Sequence, residues 1–313
     1  MNKLLPSVFR KVQSEPKIVD DSIVYSEIPL FKPLLDEYES VDNPMTEVEQ
    51  RIIKDIIGCK DDIFKVLPTE KVDKGSRFDY EAWLNDESNI LRYVRARKNN
   101  LEEAKKAIIK TLIWRIEYRP HAITPSDVEH ESLTGKTYLN GFDLNGRPVL
   151  FLKPHLENTK DPKSQIKSIV FYIEKAIKSM PKGVTKITIL IDTTKMTFNT
   201  LVSPKTSIQF LDILQSHYPE RLGKGLIVNP PGIFVFSYKV VSPFIDPVTK
   251  KKIMFVDLKS DRNTSDKNEK DLGPFTNLSK YFDLDRLEIE SGGNFPWRYN
   301  HSVYWKHMEK EFE

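Results

Sequence analysis

The stretch QSHYPERLGKGLIVNPPGIFVFSYKVVSPFIDPVTKKKIMFV, Gln215 to Val256, decides how the rest of the chain is read. A helix is expected to end at Tyr218-Pro219, because proline lacks the amide donor and clashes with the turn before it. Leu226-Ile227-Val228 reads as a short buried strand closed by Asn229-Pro230-Pro231. From Ile233 to Ile245 almost every position is apolar: Ile233, Phe234, Val235, Phe236, Tyr238, Val240, Val241, Phe244 and Ile245. A helix apolar all round is either buried on every side or covers something apolar. Polar residues enclose this one, Glu220 and Arg221 before it and Asp246, Thr249 and Lys250 to Lys252 after it. Grease bounded by charge suits an amphiphile with a polar head.

The whole chain sets limits on that reading. Its 313 residues, 39% hydrophobic and 30% charged, describe an ordinary soluble globular protein with room for one large or two smaller domains. A net charge of +3 and six scattered histidines argue against a nucleic-acid partner. Cys59 stands alone, so no internal disulfide is expected and a reducing compartment fits. The uncharged run Gly225 to Tyr238 holds two prolines and falls short of the ~20 apolar residues of a membrane span. The opening MNKLLPSVFRK has too short an apolar region for a signal peptide, and a cytoplasmic protein that visits membranes peripherally is the expectation.

Working outward, residues 1–44 show no sustained period and read as an irregular arm. Thr46-Glu47-Val48-Glu49 has the form of a capping box and opens a helix that stops near Gly58. Lys60 to Gly75 reads as surface loop. Between Trp83 and Arg119 two helices are expected, one striped by Ile90, Leu91 and Val94, the next capped by Asn100 and ended by Pro120. Residues 45–122 thus form a helical lobe. An α/β pattern follows over 123–293: the turn Asp143 to Gly146, a strand Pro148 to Leu152, a helix Lys163 to Met180, a strand Ile187 to Ile191 and a helix Ile208 to Tyr218. Strands alternating with helices indicate a parallel or mixed sheet covered by helices. Asp257 to Asp271 is polar without period and reads as a mobile loop, and 294–313 as a C-terminal tail.

Enzyme chemistries find little support. No two glycines stand four apart, which excludes a G-x-S-x-G elbow. Gly135-Lys136-Thr137 imitates the end of a phosphate-binding loop, but His130 sits where its first glycine belongs. Gly223-Lys224-Gly225 precedes a strand instead of following one, which fails the dinucleotide pattern. His301 and His307 lack partners at metal-ligand spacing and read as exposed tail residues. No catalytic residue, metal or cofactor is assigned.

HYPERLGK, NPPGIFVF and PFIDPVTKKKIMF, in that order and spacing, resemble the CRAL-TRIO lipid-binding family, in its fungal phosphatidylinositol-transfer branch. ILRYVRARK, IWRIEYRP, Gly292-Gly293 and YNHSVYW extend the resemblance over roughly residues 45 to 310. It implies a helical lobe, a sheet floor under helices and a mobile gating helix. It also implies a phosphatidylinositol headgroup site at Arg97, Glu220, Thr249 and Lys252, with Lys252 and Thr249 on the phosphate and Arg97 orienting Glu220. Charge spacing alone favours Arg97 and Glu220 as an ion pair between lobes and Lys250 to Lys252 as a solvated turn, and the matched blocks reverse that preference. The gate and acyl pocket would be Ile233, Phe234, Phe236, Val240, Val241, Phe244 and Ile245, over a strand carrying Ile187, Ile189 and Ile191. Members that also carry phosphatidylcholine have hydroxyl side chains where this chain has Ile187 and Ile189. The resemblance therefore implies phosphatidylinositol, puts phosphatidylcholine exchange in doubt, favours an apolar second ligand with sterol as one candidate, and implies transient contact with phospholipid membranes. A carrier of another apolar ligand, sterol or porphyrin, and a lipid-sensing adaptor that never transfers are the alternatives. Two acyl chains at roughly 0.8 kcal/mol per methylene represent on the order of 20 kcal/mol of hydrophobic free energy, so a carrier must replace the bilayer with an equally apolar cavity.

Overall fold

The computed structural model describes residues 23–71, 78–258 and 274–312. The start of the expected arm and most of the expected loop over Asp257 to Asp271 lie outside them. Five helices build the first lobe: α1 (Glu47–Gly58), α2 (Lys60–Lys65), α3 (Tyr80–Asn85), α4 (Glu87–Ala96) and α5 (Leu101–Tyr118). Thr46 and Glu49 form the reciprocal box that starts α1, the Thr46 hydroxyl accepting from the Glu49 amide at 3.2 Å and the Glu49 carboxylate from the Thr46 amide at 2.8 Å. Asn100 caps α5 by accepting from the Glu103 amide at 3.0 Å. Within the expected loop, Lys60–Lys65 is helix, and 72–75 lie outside the described residues. Ile63 is fully buried against Ile53 and Ile56, and that one anchor winds the chain into α2. Tyr93, Val94, Ile108 and Leu112 complete a core separate from that of the sheet.

The sheet runs β1 (Thr137–Phe142), β2 (Pro148–Leu152), β3 (Ile187–Asp192), β4 (Leu222–Val228) and β5 (Ile253–Val256), in that spatial order. β1 pairs antiparallel with β2 through the turn at Asp143, whose carboxylate accepts from the Asn145 and Arg147 amides. The other pairings are parallel. Between the strands lie α6 (Glu129–Ser132), before β1, then α7 (Pro162–Lys178), α8 (Pro204–His217), and α9 (Gly232–Val241) with α10 (Pro247–Lys250). Because strand order follows chain order and parallel crossovers are right-handed, α7, α8 and α9 all fall on one face. The opposite face is covered by the irregular chain carrying Leu278, Phe282, Leu287 and Trp297. In α11 (His301–Phe312), Tyr304 bonds the Leu139 amide at 2.9 Å and clamps β1. His301 is therefore not an exposed tail residue. It is partly buried, stacked on Trp305 and paired with Glu129 at 3.3 Å.

Two boundaries differ from expectation. α8 begins at Pro204, four residues before Ile208, since Ser203 caps it. β4 begins at Leu222 and includes Gly223 and Gly225, which were expected to precede the strand. Gly223 leaves room for the Arg147 side chain, whose Cδ would lie 2.7 Å from a Cβ there.

The junction of the two lobes is polar and tightly paired. Arg115 of α5 grips Glu174 of α7 with two hydrogen bonds of 3.0 and 2.9 Å, and the Tyr218 hydroxyl donates to the same carboxylate at 2.6 Å. Burial works to raise the Glu174 pKa, but the Arg115 charge and these bonds outweigh it and hold it below the usual carboxylate range. Tyr93 donates to the His217 carbonyl at 2.9 Å, and Arg92 to the Pro219 carbonyl at 3.1 Å. Arg115→Ala leaves a buried carboxylate uncompensated and is expected to cost about 3–5 kcal/mol. Arg115→Leu with Glu174→Leu should recover much of it. Urea denaturation of the three proteins measures both.

Histidines at this junction make stability pH-dependent. Burial, reinforced by Lys110, lowers His217 to about 4, and burial with Arg115 does the same to His121. Their folded values lie below the unfolded value near 6.5, so the unfolded chain binds the extra protons. Stability is expected to fall as pH drops from about 6.5 towards 4, and His217→Gln should flatten that slope. Urea midpoints at a series of pH values across that window give the comparison.

Candidate functional site

A cavity of about 290 Å³ lies between the sheet and the helices on its covered face. Parallel register sets Leu152, Ile191 and Ile227 side by side on the floor. Ile166 and Ile169 of α7 and Phe210 and Leu211 of α8 form its walls. Phe234, Ser237, Tyr238 and Val241 of α9, with Ile245 beyond it, close the top.

The expected gate residues divide into two groups. Phe234, Val241 and Ile245 face the cavity. Phe236, Val240 and Phe244 point outward and are 67%, 42% and 53% exposed, while Ile233 is partly buried outside the lining. The segment is apolar all round because one side covers the cavity and the other faces water. Tyr238, counted in the apolar segment but not among the gate residues, and Ser237, not singled out, both belong here, for the spacing 234, 237, 238, 241, 245 is a single helical stripe. Tyr238 stacks on Phe234 at 5.9 Å and meets Phe255 edge-on at 5.5 Å, which fixes the inner face of the helix. On β3, Ile187, Ile189 and Ile191 share a face, but Ile187 and Ile189 are packed into the core and Ile191 is the one that reaches the cavity.

The polar cluster expected to meet a headgroup is brought together in part. Lys252 pairs with Glu220 at 3.0 Å, both side chains about one-fifth exposed. Lys252 immediately precedes the lining residue Ile253, and its carbonyl accepts from the Gly225 amide at 3.0 Å. Glu220 stands in the left-handed turn after α8, at φ +56°, with the flanking Pro219 carbonyl held by Arg92 and the Tyr218 hydroxyl by Glu174. Thr249 sits in α10, which Asp246 caps by accepting from the Val248 and Thr249 amides at 2.9 Å, and its carbonyl accepts from the Lys252 amide. The Gln215 side chain clasps the chain just before α10, bonding the Phe244 carbonyl and the Asp246 amide.

Arg97 is not joined to Glu220. As the residue closing α4 it folds back onto the Ala96 carbonyl at 3.3 Å. Arg95 is the arginine of that block close enough to feel the Glu220 charge. Its hydrogen bond to Glu49, against burial and with the charges of Glu49, Asp42 and Glu220, holds it above its ordinary pKa. Arg221 turns inward to the Thr185 carbonyl, and burial with the nearby Arg92 lowers it to about 9.

A second polar cluster, at the end of the cavity formed by β1, β2 and α7, was missed. Lys136 and Lys153, both buried, line the cavity with Glu157, Gln165 and Ser168. Lys136 bonds Glu131, Glu157 and Thr159, and Lys153 bonds Glu288 at 3.0 Å and Glu290 at 2.8 Å. Lys136 thus satisfies carboxylates in place of a phosphate. Among the described residues, no group of three or more His, Cys, Asp or Glu is arranged to hold a metal ion, and no helix is long and apolar enough to cross a membrane.

Residues 133–293 match the sequence profile of the CRAL/TRIO domain. A CRAL-TRIO domain-containing protein of Schizosaccharomyces pombe is 33% identical over 277 residues, covering 88% of this chain and 25% of that protein. The phosphatidylinositol transfer protein PDR17 of Saccharomyces cerevisiae is 33% identical over 243 residues, covering 74% of this chain and 64% of its own. The chain therefore spans a quarter of the first relative and just under two thirds of the second. The SEC14 cytosolic factor of Candida glabrata is 27% identical over 190 residues. A crystal structure of Sfh5 superposes with a TM-score of 0.57 at 16% identity, covering 87% of this chain and all of that one, a likeness of fold.

Proposed function

Because the chain belongs to the CRAL/TRIO domain family, whose members bind and transfer lipids, we propose that it is a non-catalytic carrier of phosphatidylinositol. In this reading it takes the lipid from one membrane and delivers or presents it at another. The observation that carries the reading is the Glu220–Lys252 pair, whose lysine precedes Ile253, a lining residue of an apolar cavity closed by α9. Lys252 supplies the counter-charge for the phosphodiester, and Glu220 accepts from the inositol hydroxyls. Thr249, one helical turn from Lys252, adds a hydroxyl donor. The resemblance to a protein named for phosphatidylinositol transfer supports the same assignment.

Lys252→Ala removes the phosphate's counter-charge, and Glu220→Ala removes the acceptor. Each is expected to lower phosphatidylinositol exchange between vesicles by tenfold or more, about 2–5 kcal/mol for a desolvated pair. Unchanged exchange in both variants would sink the headgroup assignment. Arg97→Ala should have the smaller effect of the set, since its guanidinium bonds its own helix end.

In this reading α9 is the door. Opening uncovers Phe234, Tyr238, Val241 and Ile245, at about 1.5–3 kcal/mol for each side chain, so it is rare in water and needs a bilayer to receive them. The exposed Phe236, Val240 and Phe244, beside the exposed Lys250 and Lys251, suit a first contact with an anionic surface. Hydrogen exchange over 232–245 should accelerate when phosphatidylinositol-containing vesicles are added, while β3 stays protected. Equal protection of both segments during active transfer would exclude α9 as the entry.

A further inference from the structure

We propose that Gln215 is the latch of the cover: its side-chain amide sets how fast the cavity opens, and the C-terminal end of α9 is the end that lets go. The proposal rests on reading α9 as the door and states what holds it shut. The Gln215 carboxamide donates to the Phe244 carbonyl at 3.2 Å and accepts from the Asp246 amide at 2.8 Å. Between those two residues lies Ile245, which is buried and lines the cavity. Withdrawing Ile245 therefore means breaking both bonds. Gln215 itself is a fixed post. The next two carbonyls of α8 are held by the helical lobe, Ser216 by the Thr111 hydroxyl at 3.2 Å and His217 by Tyr93 at 2.9 Å.

The two ends of the door differ. Before α9, Asn229 is tied three times: its amide donates to the Val256 carbonyl at 2.7 Å, and its side chain bonds the Thr194 hydroxyl at 3.0 Å and the Leu258 amide at 2.8 Å. Pro230 and Pro231 then restrict the approach to the helix. After α9, the Ser242 amide bonds Tyr238 and the Ile245 amide bonds Ser242, both within the segment itself. Among the described residues, Gln215 supplies every hydrogen bond that joins residues 242–246 to the body of the protein. Farther on, Lys252 meets Glu220, five residues after Gln215. In the proposed function the headgroup draws on that pair, so it is shared with the ligand, whereas the Gln215 bonds belong to the protein alone. Two partly exposed bonds of this kind shift an equilibrium by about tenfold, enough to keep the end seated and little enough to yield at a bilayer.

The test compares the full chain with Gln215→Leu, which keeps the bulk and removes both bonds, and with Gln215→Ala as a second variant. Residue-resolved hydrogen exchange without vesicles reads the latch. The Asp246 amide loses its acceptor in either variant and exchanges faster whatever the role of Gln215. The deciding amides are those of Ser242 and Ile245, which bond Tyr238 and Ser242 and do not touch Gln215. Both are expected to exchange about 5- to 10-fold faster, with β3 unchanged. Radiolabelled phosphatidylinositol should pass between phosphatidylcholine vesicles faster by a similar factor. The share of that lipid held by the protein at equilibrium should stay the same, because a latch changes entry and exit alike, whereas damage to the site lowers the share. Acceleration confined to Asp246, an unchanged transfer rate or a lowered share would each overturn the proposal. The unsubstituted chain separates the two readings: if it carries no phosphatidylinositol the carrier reading fails, while Ser242 and Ile245 still report on the latch.

Discussion

Glu174 is the point on which the two lobes depend. It is a carboxylate in the interior, and removing such a charge from water costs several kcal/mol unless its oxygens are fully engaged. Arg115 engages both oxygens from the helical lobe, and Tyr218 adds a third bond from the end of α8. One residue beyond Tyr218 is Pro219, held by Arg92, and next comes Glu220 in its left-handed turn. A buried ion pair between helices thus sets the position of Glu220, whose partner Lys252 precedes the lining residue Ile253. Stability and site geometry share one set of bonds.

α9 shows how a single apolar segment serves two environments. Its inner stripe is sealed by aromatic contacts to the sheet, while its outer stripe stays in water. The Gln215 clasp meets the chain just where the segment turns into α10, joining the cover to the helix that walls the cavity. At the far end of the same cavity Lys136 and Lys153 are paired with carboxylates of the protein itself.

Much of this was legible in the sequence because periodicity reports burial directly. α5 and α7 are long enough for their stripes to stand out, and their caps sit where Asn100 and the prolines place them. α2 was not legible, since six residues with one buried side chain have no period to read. The first half of β4 was hidden because Gly223 and Gly225 look like breakers, and only the approach of Arg147 explains the first of them. The Glu220–Lys252 pair was visible through its sequence blocks. The conformation of Arg97 was not, because it depends on that residue closing the helix and bonding its own Ala96 carbonyl. The inner cluster was invisible for a different reason. Glu131, Lys136, Lys153, Glu157 and Glu288 are dispersed along the chain, and each alone resembles a surface charge.

The strand order has a consequence for how the molecule is made. Since all three parallel crossovers pass over one side, the sheet receives its helices as each is synthesised, whereas Leu278, Phe282, Leu287 and Trp297 join its core only near the end. The helical lobe, complete by Tyr118 with its own core, is free to form early. The last helix, α11, then reaches back through Tyr304 to lock β1, so the first strand out of the ribosome is among the last to be secured. From the completion of β3 until residue 278 the growing chain carries an unfinished sheet, a period in which a holding chaperone has something to hold.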